Sequence, residues 1–426
     1  MARQQIISGI DIGTSKVTTI ITSLNDEGGD ETLNVIGVAT VPSRGLRKSQ
    51  VVDIEETVEV ITSSVEAAER MAGYSISSAF VSIGGIHIES QNSKGVVAVA
   101  QPEGEINSED VHRVIEAARA VSLPSSREII HVIPRDFIVD SQSGIKDPVG
   151  MTGVRLEAEA HLITGSQTAM RNLVKCVNEV GVDVDNLVFS GLAGAQAVLS
   201  DTERELGVVL VDIGGGTTSL AVFIEGSLAY SSVLPIGARN ITNDIAIGLR
   251  ISLESSEKIK IALSSAAEIK KKTPADSDEL DISKLGLEEE LNSVSRKTLV
   301  EGIIQPRLNE IFTMVGMRLK ESGFGGATPA GVVLSGGGAE TVGVVQACKR
   351  VLALPVRIGR PMGLAGLIDE IQGTSFGVGV GLVQYGKQNF SLTSRKPLKS
   401  FSRLVNKIPI KGAAGKVIDF VKSFLP

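Results

Sequence analysis

The run Val208-Val209-Leu210-Val211-Asp212-Ile213-Gly214-Gly215-Gly216-Thr217-Thr218, continuing into Ser219-Leu220-Ala221-Val222-Phe223, is the stretch from which the fold is read. A near-continuous aliphatic run bounded by glycines is the pattern of a strand buried on both faces, and the glycines after it predict a tight turn into a returning strand. The same arrangement stands 201 residues earlier. There a strand over Ile6 to Ile12 ends in Asp11-Ile12-Gly13-Thr14-Ser15-Lys16, and β-rich stretches follow at Val17 to Leu24 and Val35 to Val41. A repeat of about half the chain is too long for a solenoid and implies a duplicated domain, its two lobes facing across a cleft.

Each turn also carries chemistry. Glycines let backbone N–H groups approach a phosphate without a Cβ in the way, and the Thr and Ser hydroxyls add donors. Gly13, Thr14, Ser15 and Lys16 in the first turn, with Gly214, Gly215, Gly216, Thr217 and Thr218 in the second, are the candidate phosphate-binding residues. An aspartate just before each turn would repel phosphate unless a divalent cation lay between them. Asp11 and Asp212 therefore imply Mg2+ held largely through water. One such turn alone is more often an ordinary hairpin; the pair is what points to nucleotide. A third cluster, Ser335-Gly336-Gly337-Gly338-Ala339, follows a strand and precedes a helical stretch, which suits a base or sugar. No GKS or GKT follows, so none of the three is a P-loop.

Composition agrees and excludes. The 426 residues are 42% hydrophobic but only 3% aromatic with no Trp, so the core is Val, Ile, Leu and Ala, as in an α/β protein of more than one domain. A formal net charge of −7 argues against a nucleic-acid protein. Cys176 and Cys348, far apart, suggest neither a zinc site nor a disulfide and read as small buried hydrophobes. No signal-peptide pattern opens the chain and no run of about 18 apolar residues occurs, so a cytoplasmic protein with at most peripheral membrane contact is expected.

The order of the three glycine clusters resembles the two phosphate loops and the adenosine loop of the actin, sugar kinase and heat-shock chaperone superfamily. That resemblance implies an actin-like, ribonuclease-H-like duplicated two-lobe fold binding ATP. Within it, Ser190-Gly191-Leu192-Ala193-Gly194-Ala195-Gln196-Ala197-Val198-Leu199-Ser200 is similar to the first interdomain helix, and Gly377 to Gly381 to the second. By the same resemblance Gln196 would position the attacking water, a buried helix amide being the equally weighted alternative. Glutamine can orient but hardly deprotonate water, so any ATP hydrolysis would be slow. Glu257 and Lys260, three apart on one helix face, resemble the ribose and adenine contacts, against a solvated salt bridge.

The segments Ser43-Arg44-Gly45-Leu46-Arg47-Lys48-Ser49-Gln50-Val51-Val52-Asp53, Pro134-Arg135-Asp136-Phe137-Ile138-Val139-Asp140 and Asp147-Pro148-Val149-Gly150-Met151-Thr152-Gly153-Val154-Arg155-Leu156-Glu157 are similar to the FtsA family of bacterial cell-division proteins. The resemblance covers almost the whole chain. It implies subdomain 1A at residues 1–82 and 163–200, an inserted 1C at 83–162, 2A at 201–242 and 329–385, and 2B at 243–328. In 1C, a helix over Ser108 to Val121 opened by Ser108 as N-cap and strands near Ile129 to Val139 are expected. Subdomain 2B reads as mostly helical, with a solvated loop through Lys270-Lys271-Lys272 and Asp276 to Asp281.

Residues 386–411 hold seven basic residues and no acids, a flexible basic linker, and 412–426 follow as an amphipathic helix. At 100° per residue from Val417, Phe420, Phe424, Val421, Leu425 and Ile418 fall between about −60° and +100°. Lys416 and Lys422 border that face, as on a helix lying among anionic headgroups. Family resemblance further implies filament formation, binding of the FtsZ C-terminal peptide by 2B, other division proteins at 1C, and a place on the cytoplasmic side of the membrane at the septum. Arg296, Lys297, Arg307 and Lys320 are candidates for the acidic peptide, plain solvation being at least as good a reading. A small-molecule kinase would need a further carboxylate base, and a chaperone a further domain of some 200 residues. The serious alternative is an adaptor of type IV pilus assembly resembling PilM, which should lack the amphipathic tail.

Overall fold

The computed structural model describes residues 5–27, 30–100, 104–269 and 278–395. The chain divides into a unit of residues 1–387, which holds the sheets and the cleft described below, and a second of residues 388–426. The strand Val208–Ile213 is buried along its whole length at the centre of a five-stranded sheet. It pairs antiparallel with Thr218–Ile224, which pairs antiparallel with Ser227–Leu234. On its other edge Val332–Ser335 runs parallel to it, and Val356–Ile358 lies beyond.

The first half repeats this order. Gln5–Ile12 pairs antiparallel with Lys16–Glu27, which pairs with Asp30–Pro42, while Ser78–Ile83 and then Asp183–Phe189 lie parallel on the other side. Both glycine turns close with the same bond: the Gly13 amide donates to the Lys16 carbonyl at 3.0 Å, and that of Gly214 to Thr217 at 2.9 Å. The duplication legible in sequence is thus a duplication of sheets, each ending a central strand in an aspartate and a turn.

The halves meet where two helices cross. Ser190–Val198 leads out of the first sheet, and the helix beginning at Gly377 returns beneath it. Small residues allow close approach: a Cβ on Gly381 would stand 1.7 Å from the Ala193 carbonyl oxygen, and one on Gly9 2.9 Å from the Leu382 Cβ. With no Trp, the second-half core is the aliphatic set the composition implied, built from Val209, Val211, Leu220, Ile241 and Leu334 around Phe312. Cys176 and Cys348 are both free and buried, as expected.

Between Ser78–Ile83 and Asp183–Phe189 the chain builds a separate antiparallel sheet ordered Glu89–Ala98, Arg155–Ser166, Arg127–Val139, Gln142–Ile145, with the helix Ser108–Arg119 across it. It has its own core of Ile106, Val114, Phe137, Val139 and Leu156. The N-cap is Asn107, correcting the Ser108 expected from sequence. The Asn107 side chain accepts from the amides of Glu109 and Asp110, and the Asp110 carboxylate accepts from the Asn107 amide. An acid three residues on closes a capping box from Asn107, which leaves Ser108 already helical.

Two further expectations change. Glu279–Asp281, read as loop, is a strand paired with Ser293–Ser295, because Leu280 and Val294 both pack on the core of the second half. The helix Gly377–Arg395 runs ten residues into the segment expected to begin a flexible linker at 386. No Pro or Gly interrupts 387–395, and the first proline is Pro397, which disfavours helix at the residue before it. Residues 396–426, with the rest of the linker and the proposed membrane helix, lie outside the described residues. Among those described, no helix is long and apolar enough to cross a membrane.

Gly381→Ala tests the crossing. In an exposed helix this change stabilises by up to about 1 kcal/mol, whereas here a methyl must displace backbone, and a loss of about 2–3 kcal/mol in urea unfolding is expected. A gain in stability would show that the two helices are not in contact at Ala193.

Candidate functional site

A cleft of about 1840 Å3 opens where both turns, the third glycine cluster and the helix Leu253–Ile269 converge. Asp11, Gly13, Thr14, Ser15, Lys16, Asp212, Gly214, Gly215, Thr217, Glu257, Lys260, Gly336, Gly337, Gly338 and Ala339 all line it. Residues more than 300 positions apart in sequence are thus brought to one cavity. The two turns pack on each other: a Cβ on Gly215 would lie 1.9 Å from the Ser15 hydroxyl, and one on Gly216 3.0 Å from the Thr14 side chain. Only glycine permits this approach. Ser43, whose hydroxyl is buried without a partner among the described residues, lines the same wall.

The aspartates dominate the electrostatics. Asp212 is only 7% exposed, and no described donor reaches its carboxylate. Burial first, and the Asp11 charge second, push its pKa up to about 7. Burial also raises Asp11, opposed by the Ser82 hydroxyl, which donates to it at 2.8 Å, and by the charge of Lys16. A buried carboxylate that faces a second one is stabilised by either a proton or a cation. Among the described residues no group of three or more His, Cys, Asp or Glu could cage a metal. Mg2+ needs no such cage, since it keeps several waters and takes its other ligands from carboxylate and phosphate. Asp11 and Asp212 therefore fit such an ion.

Lys16 reaches across the cleft, its ammonium donating to Ser375 at 2.9 Å and lying 3.9 Å from the centre of the Phe376 ring. Burial lowers its pKa, while Asp11 and Glu340 oppose the shift. The third cluster is fastened to the strand of Asp212. Gly336 adopts φ 81°, and a Cβ there would stand 2.4 Å from the Asp212 carboxylate. After it comes a 3-10 turn, Gly337–Glu340, ahead of the helix Val344–Leu352. On the far side Lys260 donates to Glu257 at 2.7 Å and to the Thr242 hydroxyl at 2.8 Å, and that hydroxyl donates to Glu257 at 2.5 Å. The pair is a fixed network at the cleft wall, with Lys260 only 8% exposed. A freely solvated salt bridge is excluded.

Three expected residues are not on the cleft wall. Gln196 is half-buried on Ser190–Val198 and does not line the cavity. Gly216 is the spacer against Thr14, and Thr218 is buried, donating to the Ile236 carbonyl at 2.8 Å. Arg307, offered for an acidic peptide, is gripped by Asp244 at 2.6 and 2.8 Å and by Glu310. Sequence reading missed Ser82, Ser49 and Thr242. For Ser82 the signal was present, since Phe80-Val81-Ser82-Ile83-Gly84-Gly85 matches Val333-Leu334-Ser335-Gly336-Gly337 as the third strand of the duplication.

The raised Asp212 pKa has a definite sign. Between its ordinary 3.8 and about 7 the folded chain holds a proton that the unfolded chain has released, so cation-free stability falls as pH rises through that window. Asp212→Asn should abolish the loss. In chelator at pH 7.5 we expect the variant to melt on the order of a few degrees above the unaltered chain, with the gap closing at pH 5. Parallel melting curves at both pH values would contradict the assignment.

Comparison with known proteins agrees with this geometry. The family model of the SHS2 domain inserted in FtsA matches residues 85–164, the extra four-stranded sheet, and that of cell division protein FtsA matches residues 209–381. The chain is 41% identical to the cell division protein FtsA of Pseudomonas aeruginosa over 387 residues, covering 91% of this chain and 90% of the relative. It is 39% identical to that of Bacillus subtilis, covering 93% and 87%. Among solved structures, a PilM-PilN type IV pilus biogenesis complex superposes with TM-score 0.62 at 16% identity, covering 90% of this chain and 99% of that one. MreB5 of Spiroplasma citri bound to AMPPNP gives 0.53 at 15%, covering 92% and 99%. These structural likenesses establish the actin-like fold. The pilus adaptor left open by the sequence shares that fold, but the sequence relatives decide between the two, and the chain belongs to the FtsA family of cell-division proteins.

Proposed function

We propose that this chain binds ATP and Mg2+ in its interlobe cleft, polymerises, and tethers the FtsZ ring to the inner face of the cytoplasmic membrane at the septum through its C-terminal helix. The observation that carries the nucleotide half is the convergence of two matched glycine turns and two carboxylates, Asp212 buried and Asp11 half-buried, on one cavity. A related fold, MreB5, is described with AMPPNP bound. Bound Mg2+ would neutralise phosphate charge and the carboxylate pair together.

In this reading the amides of Thr14 to Lys16 and Gly215 to Thr217 hold the phosphates, and Ser82 fixes the orientation of Asp11. Gly336 to Ala339 with the Glu257–Lys260–Thr242 network hold the nucleoside. Gln196, off the cleft wall, would have to approach it to guide a water, and a glutamine orients but hardly deprotonates water. Hydrolysis would therefore be slow, and the nucleotide would act as a switch on lobe closure and assembly.

Membrane attachment rests on the sequence of residues 386–426 and on family membership. A single short helix binds lipid weakly, so a filament carrying many copies would gain residence by avidity without any new contact. The FtsZ C-terminal peptide would dock on 2B. With Arg307 held by Asp244, the cations offered to it are Arg296, Lys297 and Lys320. Other division proteins would meet the inserted 1C sheet.

Sedimentation with vesicles containing anionic lipid, in the presence of FtsZ, tests the proposal. The full chain should bring FtsZ down with the vesicles, and a chain truncated after Lys411 should lose at least roughly tenfold in vesicle binding. Equal binding by the truncated chain would refute the tether.

A further inference from the structure

Leu46–Arg47 and Gln50–Val51 form a two-residue hairpin whose tip is Lys48-Ser49. Both tip residues are left-handed, with φ of 49° and 59°. Such a turn is normally built from Asn-Gly or Gly-Gly, and two non-glycine residues in it store strain. The surroundings make room for it: a Cβ on Gly85 would approach the Lys48 carbonyl to 3.1 Å, and one on Gly216 the Lys48 Cα to 3.3 Å. Its base is pinned by the amides of Val52 and Asp53, which donate to the Gly45 carbonyl, and by Asp53 capping the helix Ile54–Ala72.

What the strained tip delivers is one hydroxyl. The Ser49 amide donates to the Thr14 hydroxyl at 2.9 Å, and the Ser49 hydroxyl lies 3.4 Å from that of Thr14 and 3.1 Å from that of Thr217. Thr14 belongs to the turn of the first half and Thr217 to that of the second, and Ser49 lines the cleft with both. It therefore touches both anion-binding turns at once, and its bonds can be complete only at one separation of the two.

We propose that Ser49 is a positioning residue by which the cleft distinguishes a nucleoside triphosphate from a diphosphate, an inference that rests on the nucleotide reading above. A terminal phosphate shared by the two turns draws their donors together and keeps Thr14 and Thr217 within reach of Ser49. With a diphosphate the second turn has less anion to hold it, the separation is free to grow, and Ser49 loses a partner. The strain in the tip is consistent with this: the backbone adopts an unfavourable shape that places the hydroxyl between the turns.

Calorimetric titration of the full chain with AMPPNP and with ADP, each with Mg2+, tests this. The unaltered chain should favour AMPPNP. Ser49→Ala should reduce the ratio of the two affinities roughly tenfold. Ser49→Gly, which suits the positive φ and so folds readily, should lose the same preference. Lys48→Gly relaxes the tip but leaves the hydroxyl, and should keep the ratio. An unchanged ratio in both Ser49 variants, or an equal loss in Lys48→Gly, overturns the proposal while the nucleotide reading stands. Failure of the unaltered chain to bind either nucleotide overturns both.

Discussion

Two carboxylates that cannot comfortably be ionised together set the terms for this molecule. Asp11 and Asp212 end the central strands of two sheets of the same strand order, and those strand ends converge on one cleft. Burial raises both, and the Asp11 charge adds to the rise of Asp212, to about 7. Around that constraint the other features fall into order. Gly215 and Gly216 let the two turns pack on each other, Lys16 supplies a compensating charge, and Gly336 lets the third loop approach the Asp212 carboxylate. A site that repels its own charges in isolation is one that a bound cation and its counter-anion can close.

The two halves share the turn but differ in how they hold the aspartate. Asp11 has the Ser82 hydroxyl, which also accepts from the Ile12 amide at 2.9 Å. The matching serine of the second half, Ser335, lies 3.4 Å from the Thr374 carbonyl, and Asp212 has no such donor. The asymmetry leaves Asp212 as the member more dependent on a cation. The helices Ser190–Val198 and Gly377–Arg395 cross at backbone contact through Gly381, and each begins at the site, where Ser190 and Val378 line the cleft.

Much of this was legible because period-2 and continuous aliphatic patterns, glycine turns and a long internal repeat are local signals. They located the central strands to within a residue or two and named the glycine turns, the two aspartates and the Glu257–Lys260 pair that line the cleft. What was not legible depended on tertiary partners. The strand Glu279–Asp281 reads as polar loop and forms only because Leu280 finds the core. Thr218 looks like a phosphate donor beside Thr217, yet strand alternation turns it inward to the Ile236 carbonyl. Ser49 lies 35 residues from Thr14 and 168 from Thr217, distances over which no pattern in the chain announces a contact.

The most direct test of the central claim is a crystal structure of the chain grown with Mg2+ and AMPPNP. The account predicts the phosphates on the amides of both turns, with a hydrated cation between them and the carboxylates of Asp11 and Asp212. Nucleotide bound away from either turn, or phosphates seated with no cation near the two aspartates, would contradict it.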